Sequence, residues 1–371
     1  MRVRTVAAVL ALMAITLGVQ LRPVVAAARA QPRVGCAQPA PTTAAGYQAM
    51  FDAKNDLGWS GGDQAASLVL PGGRVLWLFG DTVQGLQAPT GGYAPGSRMV
   101  HNSFLLQDRG CLTALNGRER GEVIPNAANG DWYWPQTAMV DRGRLIVFAT
   151  RVRRTGPGSM DFRTVGTDAA TFTLHSGRPV FSRMTGTPSS GVGDSGVQYG
   201  AALVARGPFT YVYGTQKVGG DLVFGRAVTL ARVPAGSLLQ QAKWRFWTGT
   251  TWSARRADAA AVVKAAPHGW STVFSVLPQR GGVYRFITKA DDYLGRDVVT
   301  GFSRGLERPA AASVVATYAS AGNEVYYNPL AHPEAQLAGG ALLLTICHNS
   351  TDLATIHADG DLYKPQFFTA P

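Results

Sequence analysis

The chain has 371 residues, 46% of them hydrophobic, and a formal net charge of +12 at pH 7. Its length leaves room for one large domain or two smaller ones. The basic residues are scattered and form no run, so the charge indicates a solubilising surface or an anionic envelope nearby, and no motif points to a nucleic-acid partner.

The N-terminus has the pattern of a secretion signal. Two arginines precede an apolar stretch from Thr5 to Val19, and Ala28-Arg29-Ala30 has the small-x-small form of a cleavage site. The apolar stretch, at about 15 residues, is short for a transmembrane helix. We expect a signal peptide over 1–30, an irregular lead-in over 31–46, no membrane span, and a protein that is secreted, extracellular or cell-wall associated.

Three cysteines, Cys36, Cys111 and Cys347, make an odd count. An exported chain can therefore form one internal disulfide and keep one thiol. We expect Cys36 to pair with Cys111. Cys347 follows the apolar run 341–346 and is expected to be a buried, unreactive thiol.

The segment between Asp63 and Asp81 has the pattern of one β-hairpin with a carboxylate at each free end. Residues 65–70 and 74–79 are apolar and β-prone, and Pro71-Gly72-Gly73 supplies the positive φ angles of a tight turn. Folding about this turn brings the two acids side by side.

The register of this hairpin depends on its turn. If the turn holds only Gly72 and Gly73, position 63 pairs with 82, and the two carboxylates point to opposite faces unless a one-residue bulge intervenes. Glycines flank both acids, so we expect such a bulge. Same-face neighbours have Cβ atoms about 5–8 Å apart, which spans the carboxylate separations of retaining and inverting glycosidases.

The hairpin pattern recurs four more times, at 134–151, 198–217, 274–292 and 328–349. The turn glycines of successive copies lie about 66 residues apart, and no helix of ordinary length is evident. Repeats of several strands at this spacing are typical of a β-propeller with large blades. We predict an all-β protein with a single five-bladed β-propeller domain over 47–371, whose last blade is completed by either 47–52 or 362–369.

The polar starts of all five hairpins should share one rim, because the innermost strands of a propeller converge on its axis. Two carboxylates there suit glycoside hydrolysis, one as acid and the other as base or nucleophile. The ordinary alternative for each is an aspartate that stabilises a glycine-rich turn. The predicted substrate-binding residues are Asn102, Trp134, Gln136, Tyr199, Asn328, His332 and Glu334.

Three of these substrate-binding assignments have structural alternatives. Trp134 could stack on a sugar face or belong to the core. His332 could bind substrate or be a hydrogen-bonded core histidine, and Glu334 could be an acid or face solvent. No spacing of residues indicates a metal site.

Several motifs resemble those of a family of secreted actinobacterial proteins long described as a domain of unknown function. They include Gly58-Trp59-Ser60-Gly61-Gly62-Asp63, Leu76-Trp77-Leu78-Phe79-Gly80-Asp81-Thr82, His101-Asn102-Ser103, Trp132-Tyr133-Trp134-Pro135, and Tyr327-Asn328 followed by Ala331-His332-Pro333-Glu334. The resemblance implies the five-bladed propeller fold of glycosidase type. Some relatives in the wider group are endo-D-arabinanases, so it also implies arabinan cleavage with catalytic aspartates at Asp63 and Asp81. Some propellers of this type carry an axial calcium ion.

The chain departs from the family pattern at two places. Thr272-Val273 stands where relatives carry an Asn-Glu pair, and Gln136 follows Trp134-Pro135 where a Gly-Asp pair is usual. The loss of two acids leaves open a protein that binds glycan without cutting it.

We therefore predict a secreted, endo-D-arabinanase-like glycoside hydrolase acting on furanose-rich, arabinan-type cell-wall polysaccharide. It is expected to be a monomer that requires no cofactor. Asp63 is assigned as base or nucleophile, and Asp81 as general acid in the apolar surroundings of residues 77–79. The alternative is a non-catalytic glycan-binding propeller of the cell envelope.

Overall fold

The computed structural model describes residues 37–117, 121–219 and 223–371, and β-strands dominate them, which confirms the all-β prediction. The predicted signal segment 1–30, the first part of the lead-in and Cys36 lie outside these residues. Cys111 is disulfide-bonded and Cys347 is a buried free thiol. Among the helices described, none is long and apolar enough to cross a bilayer.

A helix precedes the first strand, in contrast to the sequence-based expectation. Helix α1 (Ala44–Asp52) begins where the Thr43 hydroxyl accepts the backbone N–H of Gly46 at 3.0 Å. It therefore includes residues 47–52, one of the two segments expected to complete the last blade. The other helical segments are α2 (Leu353–Ala358) and 3-10 turns at Gln241–Lys243, Arg256–Asp258, Arg280–Gly282, Ala338–Gly340 and Gly360–Tyr363.

The first seven strands form two antiparallel sheets that meet at the aspartates. They are β1 (Gly61–Gly62), β2 (Ala66–Val69), β3 (Val75–Phe79), β4 (Thr82–Gln84), β5 (Arg98–Val100), β6 (Ser103–Asp108) and β7 (Cys111–Leu115). The larger sheet, which we call the first sheet, has the order β2-β3-β6-β7. The smaller one has the order β1-β4-β5 and is left out of the numbering of the five sheets. Asp63 and Asp81 lie between the two sheets, where the chain passes from one to the other.

The next two sheets also begin with the predicted hairpins. The second sheet contains β8 (Trp132–Asp141), β9 (Arg144–Arg154), β10 (Phe162–His175) and β11 (Arg178–Gly186), paired in chain order. The third contains β12 (Gln198–Arg206), β13 (Phe209–Gln216), β14 (Ala227–Pro234), β15 (Arg245–Trp247) and β16 (Trp252–Ser253), with β17 (Ala261–Val263) also paired to β14.

The last two sheets complete the set. The fourth contains β18 (Ser275–Pro278), β19 (Tyr284–Lys289), β20 (Asp297–Ser303) and β21 (Ser313–Thr317), and the fifth contains β22 (Glu324–His332), β23 (Leu342–Ser350) and β24 (Gln366–Ala370). β24 pairs with β23, so the C-terminal segment extends the fifth sheet. Each of the five predicted hairpins is thus present as an antiparallel pair.

The first strands of the five sheets contact one another in sequence. β2 contacts β8, β8 contacts β12, β12 contacts β18, β18 contacts β22, and β22 contacts β2. The described residues after position 36 form one compact unit.

Apolar side chains fill the spaces between successive sheets. Leu76 and Leu78 pack toward the second sheet, while Trp77 and Phe79 of the same strand pack toward α1 and the fifth sheet. Comparable clusters lie between the second and third, third and fourth, and fourth and fifth sheets. A strand packed on both faces must be apolar at successive positions, which explains the unbroken hydrophobic runs in the sequence.

Candidate active site

The first hairpin places Asp63 opposite Asp81. The Asp63 N–H donates to the Asp81 carbonyl at 3.1 Å, and the Asp63 carbonyl accepts the N–H of Gly80 at 3.1 Å. The turn holds three residues, not the expected two, since Leu70 N–H donates to the Arg74 carbonyl at 2.8 Å. Because the turn has an odd number of residues, Asp63 pairs with Asp81 without the one-residue bulge that was expected.

The backbone beside Asp63 is irregular all the same. Gln64 and Ala65 adopt φ angles of 78° and 54°, a region that costs a residue with a Cβ about 1–2 kcal/mol. Tertiary contacts hold this conformation, because the Gln64 N–H lies 3.0 Å from the Cys347 Sγ and its side-chain amide donates to the Gln136 carbonyl at 3.0 Å. A Cβ at Gly80 would collide with Asp63 Oδ1, so a larger residue there would have to displace the Asp63 carboxyl group.

Asp63 lies in a pocket of tyrosines. The Tyr327 hydroxyl donates to Asp63 Oδ2 at 2.7 Å and accepts the Asn349 amide at 3.0 Å, and Tyr363 supplies a second hydroxyl donor. Burial and the neighbouring Asp81 charge raise the pKa of Asp63 to about 7, against the opposing effect of these hydroxyl donors. Part of the residue remains accessible to solvent, as a reacting group requires.

Asp81 has a different environment. The Trp134 indole N–H donates to Asp81 Oδ1 at 2.7 Å, and His101 Nδ1 lies 3.0 Å from the same oxygen. About a quarter of the Asp81 side chain is exposed to solvent. The indole N–H can only donate, so this Asp81 oxygen accepts its hydrogen bond.

Aromatic rings form one wall beside Asp81. His101 stacks on Trp132 with centroids 4.5 Å apart, and Phe162 packs edge-on against Trp134 at 5.0 Å. Such rings can pack against the C–H faces of a sugar. The sequence analysis did not assign His101 to the site. It lies just before β6, the strand paired with β3, and therefore at the same end of the sheet as Asp81.

Three predicted substrate-binding residues lie near the aspartates, with different roles. Trp134, predicted to bind substrate, lies beside Asp81 and bonds it. Gln136 and Asn328 are buried beneath it, where the Asn328 amide donates to Gln64 Oε1 at 2.8 Å. Together with Gln64, they form an amide layer that supports the irregular backbone next to Asp63.

The amide layer contains unpartnered polar atoms. Both amide atoms of Gln136 and the Oδ1 of Asn328 have no hydrogen-bond partner in the part of the chain described. Calcium takes about six to eight oxygen ligands, whereas these residues offer two amide oxygens and no carboxylate. An ordered water can satisfy the amide N–H as well as the oxygens, so the layer fits water better than the axial calcium that some propellers of this type carry.

Two other residues that were predicted to bind substrate are buried in the framework. Asn102 is fully buried, and its side chain bonds the backbone of Ile124 and Tyr133. Tyr199 is also fully buried and packs against Trp244 and Phe246. Both residues therefore stabilise the framework, because a strand start at the rim can point its side chain into the space between sheets.

His332 and Glu334 lie at the end of β22 that is farther from Asp63, which we call the opposite end. Ser67 Oγ lies 2.6 Å from His332 Nδ1 and also bonds Glu334, while His332 Nε2 lies 2.8 Å from the Thr345 hydroxyl. Burial lowers the pKa of His332 to about 3 and raises that of Glu334. Of the alternatives for His332, the structure shows the hydrogen-bonded core histidine, and Glu334 lines a cavity of about 430 Å³ at that end.

The fourth sheet contributes an acid that is paired with a cation. Asp292 is buried, accepts a hydrogen bond from Arg226 Nε at 2.8 Å and bonds Thr272, one of the residues at which the sequence departs from the family pattern. Tyr293 packs on Tyr327 with centroids 4.8 Å apart, which connects this sheet to Asp63. The described residues contain no group of three or more His, Cys, Asp or Glu that could hold a metal ion.

Solved structures are similar to this chain at low sequence identity. A candidate hydrolase from Bacteroides ovatus is 18% identical, with a TM-score of 0.69 and 88% of both chains covered. An endo-arabinase from Bacteroides thetaiotaomicron is 10% identical, with a TM-score of 0.48 over 85% of this chain and 96% of its own. A GH43_1 enzyme from Xanthomonas citri complexed with xylose is 12% identical, with a TM-score of 0.47 over 88% and 93%.

The sequence matches a family model, although no curated protein matches it. The model of the domain of unknown function DUF5005 matches residues 45–370, nearly the whole of the described chain. The protein therefore belongs to the DUF5005 family.

Proposed function

We propose that this protein is a secreted glycoside hydrolase that cuts furanose-rich, arabinan-type cell-wall polysaccharide. The observation that carries the proposal is the opposition of Asp63 and Asp81 across one hairpin, beside an aromatic wall. Two carboxyl groups in different environments are the minimum that glycoside hydrolysis needs. The arabinan-type substrate is supported by the motifs around both aspartates, and export by the N-terminal pattern.

The fold that we propose for this activity is a five-bladed β-propeller. Its support is the sequence of contacts among the first strands of five sheets, which returns to its starting strand, and the apolar clusters between successive sheets. In that arrangement the site lies at one end of the axis. We further propose that the protein acts as a monomer in the extracellular space or cell wall and needs no cofactor.

From the environments of the two acids, we propose roles opposite to those predicted from sequence. Asp63, whose pKa is raised to about 7, can hold a proton at neutral pH and is proposed as the general acid. Asp81, which accepts the N–H of Trp134 and is partly exposed, is proposed as the base or nucleophile.

The reaction then follows from these positions. Asp63 donates its proton to the glycosidic oxygen as the bond to the leaving sugar breaks. The ionised Asp63 that remains is stabilised by the hydroxyl donors Tyr327 and Tyr363. On the other side of the sugar, Asp81 either attacks the anomeric carbon or takes a proton from an attacking water.

Activity can be tested on a panel that includes arabinogalactan, with new reducing ends as the readout. The wild-type protein should release reducing ends, and Asp63→Asn and Asp81→Asn should each abolish the release without lowering the melting temperature by more than a few degrees. Glu334→Gln, at the other end of the axis, is the matched carboxyl control. Binding of the polymer without any release would instead support a non-catalytic glycan-binding protein.

A further inference from the structure

Tyr293 exposes an aromatic side chain beside the candidate site. It lies on the loop that joins β19 to β20, residues 290–296, and is 41% exposed. Its ring packs on that of Tyr327, with centroids 4.8 Å apart and planes inclined by 30°. The Tyr327 hydroxyl in turn donates to Asp63 Oδ2 at 2.7 Å. A partly exposed aromatic ring therefore lies next to the hydrogen-bond donor of the buried acid.

Buried polar contacts fix the backbone that carries this ring. Lys289 is fully buried, and its ammonium group donates to the carbonyls of Asp292 and Tyr293 at 2.6 and 3.2 Å. The Asp292 carboxylate accepts Arg226 Nε at 2.8 Å and the N–H of Thr272 at 3.0 Å. A side chain on a backbone held in this way loses less conformational entropy when a ligand packs on it, because part of the ordering is already complete.

The same loop has an unfavourable backbone conformation. Asp291 and Asp292 adopt φ angles of 59° and 48°, in the left-handed region. Aspartate tolerates this region better than most residues, but it enters it as a single residue and rarely twice in succession. Such conformations persist where surrounding contacts hold them, and they cluster at ligand-binding and active sites. The strain directly before Tyr293 therefore indicates that the position of its ring serves a function.

The two acids have aromatic neighbours from different sheets. Asp81 bonds Trp134 of the second sheet. Asp63 bonds Tyr327 of the fifth sheet, on which Tyr293 of the fourth packs. In the proposed reaction Asp63 protonates the glycosidic oxygen, so the leaving sugar lies on its side of the pair. The ring beside Asp63 is thus placed for the leaving sugar, and the aromatic wall beside Asp81 for the sugar whose anomeric carbon reacts.

We infer that Tyr293 binds the sugar of the leaving group. Its ring packs against the C–H face of a saccharide unit on the far side of the cleaved bond. Lys289 and Asp292 are positioning residues, which hold the loop so that the ring stays beside Asp63. The inference rests on the proposed hydrolase function, because only cleavage defines a leaving group. It adds that a good substrate must extend beyond the bond that is cut.

Two substrates of the full chain separate this role from a structural one. A short arabinofuranose oligosaccharide carries a leaving sugar, whereas the matching glycosyl fluoride carries fluoride in its place. Tyr293→Ala should lower kcat/KM for the oligosaccharide by about tenfold and leave that for the fluoride within about twofold. Tyr293→Phe keeps the ring and should retain most activity on both substrates. The matched control is Phe302→Ala, which removes a 56% exposed ring from β20 of the same sheet.

A binding measurement distinguishes failure of this inference from failure of the proposed function. Calorimetry of the oligosaccharide with the Asp81→Asn protein needs no turnover, and adding Tyr293→Ala should weaken binding about tenfold. Binding that depends on Tyr293 without any wild-type cleavage would overturn the proposed hydrolysis and still support the ring as a sugar contact. Equal affinities, no binding at all, or equal losses of kcat/KM on both substrates would overturn the inference. Equal melting temperatures of the Tyr293→Ala and Phe302→Ala proteins exclude unfolding as the cause.

Discussion

Hydrogen bonds join the first and fifth sheets at two places along strands β2 and β22, one beside Asp63 and the other at Ser67. At the rim, Tyr327 donates to Asp63; at the opposite end, Ser67 bonds His332 and Glu334. Burial raises the pKa of the carboxyl group at both ends. A raised pKa alone therefore does not distinguish a reactive acid from a structural one.

The neighbours of each acid make the distinction. Asp63 has a second carboxylate, Asp81, directly opposite it, and an aromatic wall beside that partner. Glu334 has no second acid among its bonded neighbours, and its chain of hydrogen bonds ends at Thr345. The rim holds two partly exposed acids side by side, whereas the opposite end satisfies its polar groups internally. The following predictions test that contrast.

The largest expected effect is on activity. Asp63→Asn and Asp81→Asn should each lower kcat/KM by ~10³-fold or more, because each removes a group that transfers a proton or attacks the sugar. Glu334→Gln should leave kcat/KM unchanged. The measurement is initial-rate release of reducing ends from the best substrate of the panel. Equal losses for the variants at both ends would remove the contrast.

The pH dependence should change next most. As the general acid, Asp63 must be protonated, so activity should fall as pH rises through about 7. Tyr327→Phe removes a donor that favours the ionised form, so the pKa of Asp63 should rise and the alkaline limb should move upward by up to about one pH unit. Profiles of kcat/KM for the wild type, this variant and the distant Tyr318→Phe would show it. A downward shift would assign the limb to another group.

Stability should respond at the opposite end. Ser67→Ala leaves His332 Nδ1 and the Glu334 carboxyl without their shared partner, so the free energy of unfolding should fall by about 1–3 kcal/mol. Activity per folded molecule should not change. Denaturant unfolding beside the exposed Ser313→Ala measures the loss, and a change in kcat would show that this end is coupled to the rim.

The smallest expected effect is a pH-dependent stabilisation. Because the pKa of Asp63 is higher in the folded chain than in the unfolded one, the folded state binds more protons between about pH 4 and 7, and stability should fall as pH rises through that range. Asp63→Asn removes this loss, so its melting temperature relative to the wild type should increase by a few degrees from pH 5 to pH 8. The surface variant Asp108→Asn is the control. A difference that shrinks with pH would contradict the sign.

Local sequence patterns were sufficient for the hairpins and for the main pair of acids. Two apolar runs on either side of a glycine turn indicate a strand pair, and Asp63 and Asp81 lie just beyond one such pair. The three-residue turn was missed because Pro71 can belong either to the turn or to the strand. Helix α1 was missed because its nine residues show little hydrophobic periodicity.

By itself, the sequence determined the all-β character, the five hairpins and the end of the first hairpin at which two carboxylates lie, because these depend on residues close together in the chain. Only the tertiary structure decided which acid bonds the tyrosine hydroxyls, that His101 and Trp134 share Asp81, and that Ser67 joins His332 to Glu334. These contacts join residues up to 267 positions apart. They follow from how the sheets pack, and no local spacing encodes the depth at which a side chain is buried.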